Sequence, residues 1–355
     1  MSKSLTQVLL PDLLLTLPIV FLLSLSILVI YSSNPILAAQ QAIYASIGII
    51  LFYLCSLIDF RYYNRSINLF YLGVLILLII TFIIGFETRG SVRWISLGFF
   101  QLQPSELAKP ILILVLAKFW SQKDTDWFHI IKSAAIVLPL LLMVFQQPDL
   151  GTTLTLGAIW VFSLIGANLS IIKAGLMAAL TLPVLYLGSN LLKDYQKDRL
   201  LSYLSPTHDP LGTGYNVIQS TIAVGSGQIM GRGLGRGTQS RLQFLPEFRT
   251  DFIFASIAEE FGFLGSLIVL GLYGWLLLRC AYVASYMTDR FGVVVIYGVV
   301  GMLFFQTVVN LGMNIGVLPV TGITLPLLSY GGSSLIGTLI SLGLVASCIR
   351  YYKTV

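Results

Sequence analysis

In TDFIFASIAEE a carboxylate, Asp251, opens a long hydrophobic run. The unsatisfied N–H groups of a helix N-terminus keep such a carboxylate ionised and able to accept a proton. Thr250 or Asp251 is placed to cap that helix. Arg249, Glu247 and Arg241 stand nearby in sequence, more charge than a cap requires. Just upstream, GSGQIMGRGLGRGTQ carries glycines at 231, 233, 235 and 237, with Arg232 and Arg236 between them. Backbone N–H groups of such a stretch can face an anion, although a plain flexible loop has the same composition. It lacks the Lys–Ser/Thr ending and the strand–helix setting of a P-loop. Far upstream, QPSELAKP places Glu106 and Lys109 three residues apart, on one face of a helix, with Ser105 as its expected cap. Glu259 and Glu260 read as support for Lys109 or for backbone, not as catalytic groups. A base beside a cluster of cations suits the displacement of an anionic leaving group, such as a diphosphate carried on a lipid.

The elements that must position these residues are membrane helices. Of 355 residues, 56% are hydrophobic and 10% charged, where a soluble domain carries about 25% charged residues. Mean hydropathy is +0.88, which leaves little room for a large soluble domain. The apolar runs are continuous and not the alternating segments of a barrel, so the chain is expected to be an all-α polytopic membrane protein forming one domain over residues 1–355. The net charge of +6 fits cytoplasmic loop lysines and arginines and points to no nucleic-acid partner. Cys55, Cys280 and Cys348 are scattered in apolar runs, which predicts neither a disulfide framework nor a metal cluster. His129 and His208 have no second ligand at metal spacing.

Ten spans are expected, near 13–31, 36–58, 67–86, 105–120, 130–146, 150–167, 170–190, 252–280, 290–311 and 333–352. The first is read as a true span and not a cleavable signal, because no small-residue cleavage site follows it. With the N-terminus inside, eleven Lys and Arg near span ends fall on the inner side. Only Arg89, Arg93 and Lys109 fall in short outer loops. Both termini are then cytoplasmic, and a large extracytoplasmic loop, 191–251, lies between spans seven and eight.

Three other outer stretches are notable. Residues 87–110 are richer than a connection needs. QQPDLGT, from Gln146 to Thr152, reads as a turn in which Asp149 does turn chemistry. NIGVLPVTGITLPLLSYGGSS, from Asn314 to Ser334, holds Pro319, Pro326 and Gly331–Gly332 in an apolar run. It cannot be one straight helix, and irregular backbone at membrane depth must be buried in protein or face water. A re-entrant or cavity-lining segment is expected there.

RWISLGFFQLQPSELAKP, QQPDLGT, GVLPVTGITLPLLSYGGSS and the long stretch from Asp194 to Gly265 together resemble the SEDS family (shape, elongation, division and sporulation). The GTQSRLQFLPE run and the short N-terminus look like its elongation branch, RodA, more than its division branch, FtsW. The resemblance implies a ten-helix peptidoglycan glycosyltransferase of the bacterial cytoplasmic membrane. It would polymerise lipid II, on the outer face, onto a glycan carried by undecaprenyl diphosphate. The implied partners are a class B penicillin-binding protein, the elongation machinery and membrane lipids. The family's essential aspartate falls on Asp251, and its conserved glutamate and lysine fall on Glu106 and Lys109. Asp251 would be the base that takes the acceptor hydroxyl's proton, worth roughly 10²–10⁴-fold in rate. Lys109, Arg232, Arg241 and Arg249 are the candidate cations for the diphosphate, each worth about 4 kcal/mol at 4 Å near a protein surface. A divalent cation, Mg or Mn, could share that role, though no dedicated site is visible. One departure from the family is Gly227-Gln228, where Gly-Gly is expected.

Two rivals fit the same composition. A lipid II flippase would need charged groups along a path through the bilayer, whereas the distinctive charges here gather at one face. A scaffold that only anchors a transpeptidase explains the helices but not the surroundings of Asp251.

Overall fold

The computed structural model describes residues 12–88, 91–96, 98, 101–188, 203, 214–242 and 244–352. Ten helices carry the ten expected spans: α1 (Leu13–Ser33), α2 (Pro35–Leu57), α3 (Phe60–Ile84), α4 (Pro104–Ser121), α5 (Trp127–Gln146), α6 (Leu150–Gly166), α7 (Ile171–Gly188), α10 (Ile253–Tyr286), α11 (Arg290–Asn314) and α12 (Gly332–Tyr352). Two short helices, α8 (Tyr215–Ser226) and α9 (Thr238–Arg241), lie inside the 191–251 segment. Lys197 and His208 of that segment fall outside the described residues, as does Arg89. Seven of the ten are long and apolar enough to cross a membrane, and the chain is a multi-pass membrane protein. Of the other three, α4 carries Glu106, Lys109 and Lys118 among 18 residues, and α6 has only 17 residues.

Short polar side chains start most spans. Asp12, Asn34, Asp59, Asp126, Asp149 and Asp289 each accept from an N–H in the first turn that follows, which satisfies one of the donors a helix start leaves open. Ser105 is not such a cap. The cap of α4 is Gln103, without a side-chain bond, and Pro104 takes the first helical position, where its missing N–H costs nothing.

The ends of the bundle are marked by polar contacts. Arg279 pairs with Asp12 at 2.7 Å and Arg290 with Asp124 at 3.2 Å. At the same end, Lys118 Nζ donates to Asn64 O and Lys173 Nζ to Thr125 O. These are four of the residues expected on the inner side, and they lie together at the end opposite Asp251.

Residues 86–102 differ from expectation. They form three short antiparallel strands, β1 (Phe86–Thr88), β2 (Ser91–Ser96) and β3 (Gln101–Leu102), in the order β1-β2-β3, with Thr88 opposite Ser91 and Ser96 opposite Gln101. The strands are too short to announce themselves by alternation. Through β2 the sheet packs against α3 and α4.

Helix α12 is the most buried of the long spans. It packs closely on α2 because Gly48 and Gly343 leave room at the crossing: a Cβ on Gly48 would collide with Leu339, the small-residue approach typical of membrane helices. Between α11 and α12, residues 315–331 are not helical, yet Ile323, Leu325, Leu327, Leu328 and Ser329 are buried. This is the expected irregular backbone inside protein, and its carbonyls are satisfied by surrounding side chains. Ser26 donates to Leu328 O at 2.6 Å, Gln41 to Ser329 O at 3.2 Å and Asn310 to Ile323 O at 2.7 Å, and Tyr273 Oη donates to Pro326 O.

Candidate active site

Asp251 sits half-buried in the turn that precedes α10. Neither Thr250 nor Asp251 caps the helix; the cap position is Phe252 and has no side-chain bond. The start of α10 is secured from α11 instead. Asn310 and Asn314, both fully buried, donate to the carbonyl of Asp251 at 2.9 and 3.1 Å, and Asn314 Oδ1 accepts from Ala255 N at 3.0 Å. The residues before Asp251 are tied to the irregular segment: Ser329 Oγ donates to Thr250 O at 2.6 Å and Tyr330 N to Arg249 O at 2.8 Å. The backbone from Arg249 to Asp251 is therefore held on two sides, which is what a reacting group needs to stay within a fraction of an ångström of its partner.

The glycine-rich stretch is not an open anion loop. Helix α10 is broken at Gly262, where φ is 68° and ψ is −161°, a conformation open essentially to glycine alone. An unbroken helix would pair Phe263 N with Glu259 O and Leu264 N with Glu260 O. All four groups bond the glycine-rich stretch: Arg232 N donates to Glu259 O at 3.0 Å, Gly233 N to Glu260 O at 2.9 Å, Phe263 N to Gln228 O at 2.8 Å and Leu264 N to Ile229 O at 3.2 Å. A Cβ on Gly227 would strike Ala258 O, and one on Gly231 would strike Glu260 O. The glycines at 227 and 231 thus serve close approach to α10. Gln228, at the position where the resemblance leads us to expect glycine, takes φ 50°, the left-handed region that glycine fills without strain.

Glu259 and Glu260 act on this stretch and not on Lys109. The fully buried Glu259 accepts four bonds across α9: from Thr238 Oγ1 at 3.2 Å and Gln239 N at 2.9 Å to Oε1, and from Ser240 N at 3.3 Å and Ser240 Oγ at 2.9 Å to Oε2. Glu260 accepts from Ser32 Oγ at 3.1 Å and from the Gly235 N–H.

The candidate cations divide into two groups. Arg241 and Arg249 line one small cleft, with room for about one water molecule (10 Å³), together with Ser32, Ser33 and Glu260. There Arg241 donates to Gly235 O at 2.6 Å and Arg249 to Ser33 Oγ at 2.9 Å, and the Arg249 guanidinium lies 4.3 Å over the Phe248 ring. Burial lowers the Arg249 pKa from the ordinary guanidinium value, and the group remains a cation at any physiological pH. Arg232 lies outside this cleft, bonded to Ser226 O and Thr238 Oγ1.

Lys109 is almost fully enclosed in α4, its Nζ 2.6 Å from Glu106 Oε2. The pair forms the expected i, i+3 contact and is buried inside protein, as ionised groups of membrane proteins are when they line interiors and do not face lipid. A short stretch of chain connects it to Asp251. From Ser329 and Tyr330 beside Thr250 and Arg249, the backbone runs to Ser333, whose Oγ accepts from Gln103 N at 3.1 Å and donates to Gln101 O at 2.8 Å. One turn on, Gly337 lies against Glu106, where an added Cβ would stand 2.9 Å from its carbonyl.

Sequence reasoning passed over three contributors. Asn310 and Asn314 gave no local signal, being polar residues at helical spacing in an apolar run. Arg93 appeared only as an outer-loop charge. In the structure its guanidinium donates to Gln147 O at 3.0 Å and to Pro148 O, and stands 3.9 Å from Asp149. Asp149 caps α6 through Thr152 N and accepts from Gln103 Nε2 at 3.0 Å, so the expected turn residue also joins α6 to the cap of α4. Among the described residues, no group of three or more His, Cys, Asp and Glu side chains is placed to hold a metal ion.

The fold is a polytopic helical membrane domain, with a half-buried carboxylate, arginines and a buried ion pair toward one end of the bundle. The profile of the family described as "Cell cycle protein" (FtsW, RodA, SpoVE) matches residues 5–354, and the chain belongs to that family, the SEDS proteins. It is 39% identical over 315 residues to the peptidoglycan glycosyltransferase MrdB of Escherichia coli K12, covering 87% of this chain and 84% of that one. It is 38% identical over 355 residues to the probable peptidoglycan glycosyltransferase FtsW of Geobacter metallireducens, covering 94% and 93%. A solved structure of a peptidoglycan synthase complex, described as coordinating polymerization and crosslinking, superposes with a TM-score of 0.82 at 36% identity, over 97% of this chain and 99% of that one.

Proposed function

We propose that this protein is a peptidoglycan glycosyltransferase that polymerises lipid II at the extracytoplasmic face of the bacterial cytoplasmic membrane. The observation that carries the reading is the locking of the Asp251 backbone by Asn310, Asn314 and Ser329 at the bundle end where Arg241, Arg249 and the Glu106–Lys109 pair also stand. Asp251 takes the proton from the acceptor hydroxyl as that oxygen attacks the donor's anomeric carbon with inversion. The bond to undecaprenyl diphosphate breaks, and the leaving diphosphate takes the electron pair. Arg241, Arg249 and Arg232 stabilise that developing charge from the rim and Lys109 from below.

The names of the relatives support the activity. The solved synthase complex, which couples polymerization to crosslinking, supports a partner that cross-links the product, a class B penicillin-binding protein. The GTQSRLQFLPE run supports the elongation branch. Purified protein incubated with labelled lipid II, alone and with its cognate transpeptidase, is expected to form glycan polymer, and faster with the partner. No polymer in either arm, with lipid II translocated in proteoliposomes, would favour a flippase. Restoration of a division mutant and not an elongation mutant in cells would move the protein to the FtsW branch.

A further inference from the structure

Asp251 stands two residues before α10, and the arginine-bearing stretch Gly231–Arg241 is fastened two turns later on the same helix. Base and cations are therefore both referenced to one short piece of backbone, Ile253–Phe261. Within it Glu259 has a distinctive position. It is fully buried, both of its carboxylate oxygens are occupied, and all four donors come from Thr238, Gln239 and Ser240, the residues that carry Arg241 into the cleft with Arg249. Its main-chain carbonyl meanwhile holds the N–H of Arg232. One residue thus fixes the stretch at both ends of its arginine series.

We infer that Glu259 is a positioning residue: its carboxylate clamps the arginine stretch onto the turns of α10 that present Asp251, and so sets where the cations stand relative to the base. This rests on the reading that the arginines meet a diphosphate. Backbone N–H groups at 232, 233, 239 and 240 are committed to Glu259 and Glu260, so those N–H groups are not available to the anion. Recognition then falls to guanidinium side chains, whose placement depends on the clamp.

Two variants test this from opposite sides. Glu259→Gln keeps the volume but turns an NH₂ group toward one pair of donors, since both oxygens accept. Gly237→Ala leaves Glu259 in place and drives a methyl group to 2.6 Å from its Oε2, which displaces the carboxylate. Each purified variant is treated with trypsin, and fragments are assigned by mass spectrometry. New cleavage after Arg232, Arg236 or Arg241 is expected in both variants. Asp289→Ala, which removes the cap of α11 at the opposite end of the bundle, is expected to keep the wild-type cleavage pattern. In the lipid II assay, KM is expected to rise about tenfold, the equivalent of one charge-assisted hydrogen bond, with kcat within about threefold. An unchanged cleavage pattern in both variants overturns the clamp. New cleavage with an unchanged KM, or with kcat falling as much as kcat/KM, overturns the positioning role. A wild-type protein that forms no polymer defeats the functional reading instead, and leaves the cleavage result standing.

Discussion

Asn314 Nδ2 donates to the main-chain carbonyl of Asp251 at 3.1 Å, while Asn314 Oδ1 accepts from Ala255 N at 3.0 Å. One side chain from α11 therefore does what a local cap does elsewhere in the chain, and fixes the candidate base in the same act. Asn314→Asp keeps the acceptor for Ala255 but loses the donor to Asp251; Asn314→Leu loses both. The Leu variant is expected to lose about 1–3 kcal/mol for its stranded buried groups, and the Asp variant at least as much, because it buries an unpaired carboxylate against the carbonyls of Asp251 and Asn310. Both are expected to lose polymerisation. Melting in detergent and glycan formation by the same samples separate the two effects. Full activity in the Asp variant would show that the carbonyl bond does not matter to chemistry.

The Glu106–Lys109 pair carries a stability prediction of a different kind. Lys109→Ala leaves a buried carboxylate without its counter-charge, a change that costs about 3–5 kcal/mol. Pairing Lys109→Met with Glu106→Gln removes both charges and is expected to recover most of that stability in a detergent melt. Activity is expected to stay low in both variants, because the cation below the rim is gone. Near-normal polymerisation in the double variant would reduce the pair to a packing feature.

The helices were legible because a membrane span is a long apolar run and because Asp12, Asn34, Asp59, Asp126 and Asp289 punctuate those runs. Glu106 and Lys109 were legible for the same reason: i, i+3 spacing is local. The start of α10 was not. Thr250 and Asp251 have the residue types of a cap, but the bond comes from Asn314, which no local pattern connects to them. The glycine stretch misled in a similar way. Composition shows that the backbone there is free of side chains, and an anion and a neighbouring helix both require that. Only the break at Gly262, which leaves helical groups to be bonded, shows which of them the glycines meet.

Gln228 holds φ at 50° while its carbonyl accepts from Phe263 N. A non-glycine residue in that region costs on the order of 1 kcal/mol. Gln228→Gly is expected to raise the detergent melting temperature and to leave polymerisation close to wild type. A fall in melting temperature would mean that the Gln228 side chain contributes more than its backbone strain costs.

Topology admits a direct check. A single cysteine at Gln239, in a background without Cys55, Cys280 and Cys348, is expected to react with a membrane-impermeant thiol reagent added outside intact cells. One at Asp124, beside Arg290 at the opposite end of the bundle, is expected to react only after permeabilisation. The reverse pattern would place the site on the cytoplasmic side, away from the lipid II awaiting polymerisation outside, and the proposed function would fall with it.

Asp251 offers the sharpest test, because the structure separates its backbone from its side chain. Asn310 and Asn314 bond the Asp251 carbonyl, and α10 has no side-chain cap. Neither interaction depends on the carboxylate. Asp251→Asn preserves shape and Asp251→Ala removes the side chain, yet both leave those bonds in place. The Asn variant is expected to insert and to melt close to wild type. If the carboxylate takes the acceptor proton, both variants lose polymerisation by at least about 10²-fold, the usual consequence of removing a positioned base, while lipid II binding by the Asn variant persists. If the carboxylate only supports local structure, the Asn variant is nearly silent and the Ala variant melts lower. The measurement is polymer formed from labelled lipid II by each purified variant, beside lipid II binding and a melt on the same preparation. Full polymerisation by Asp251→Asn removes Asp251 from the reaction.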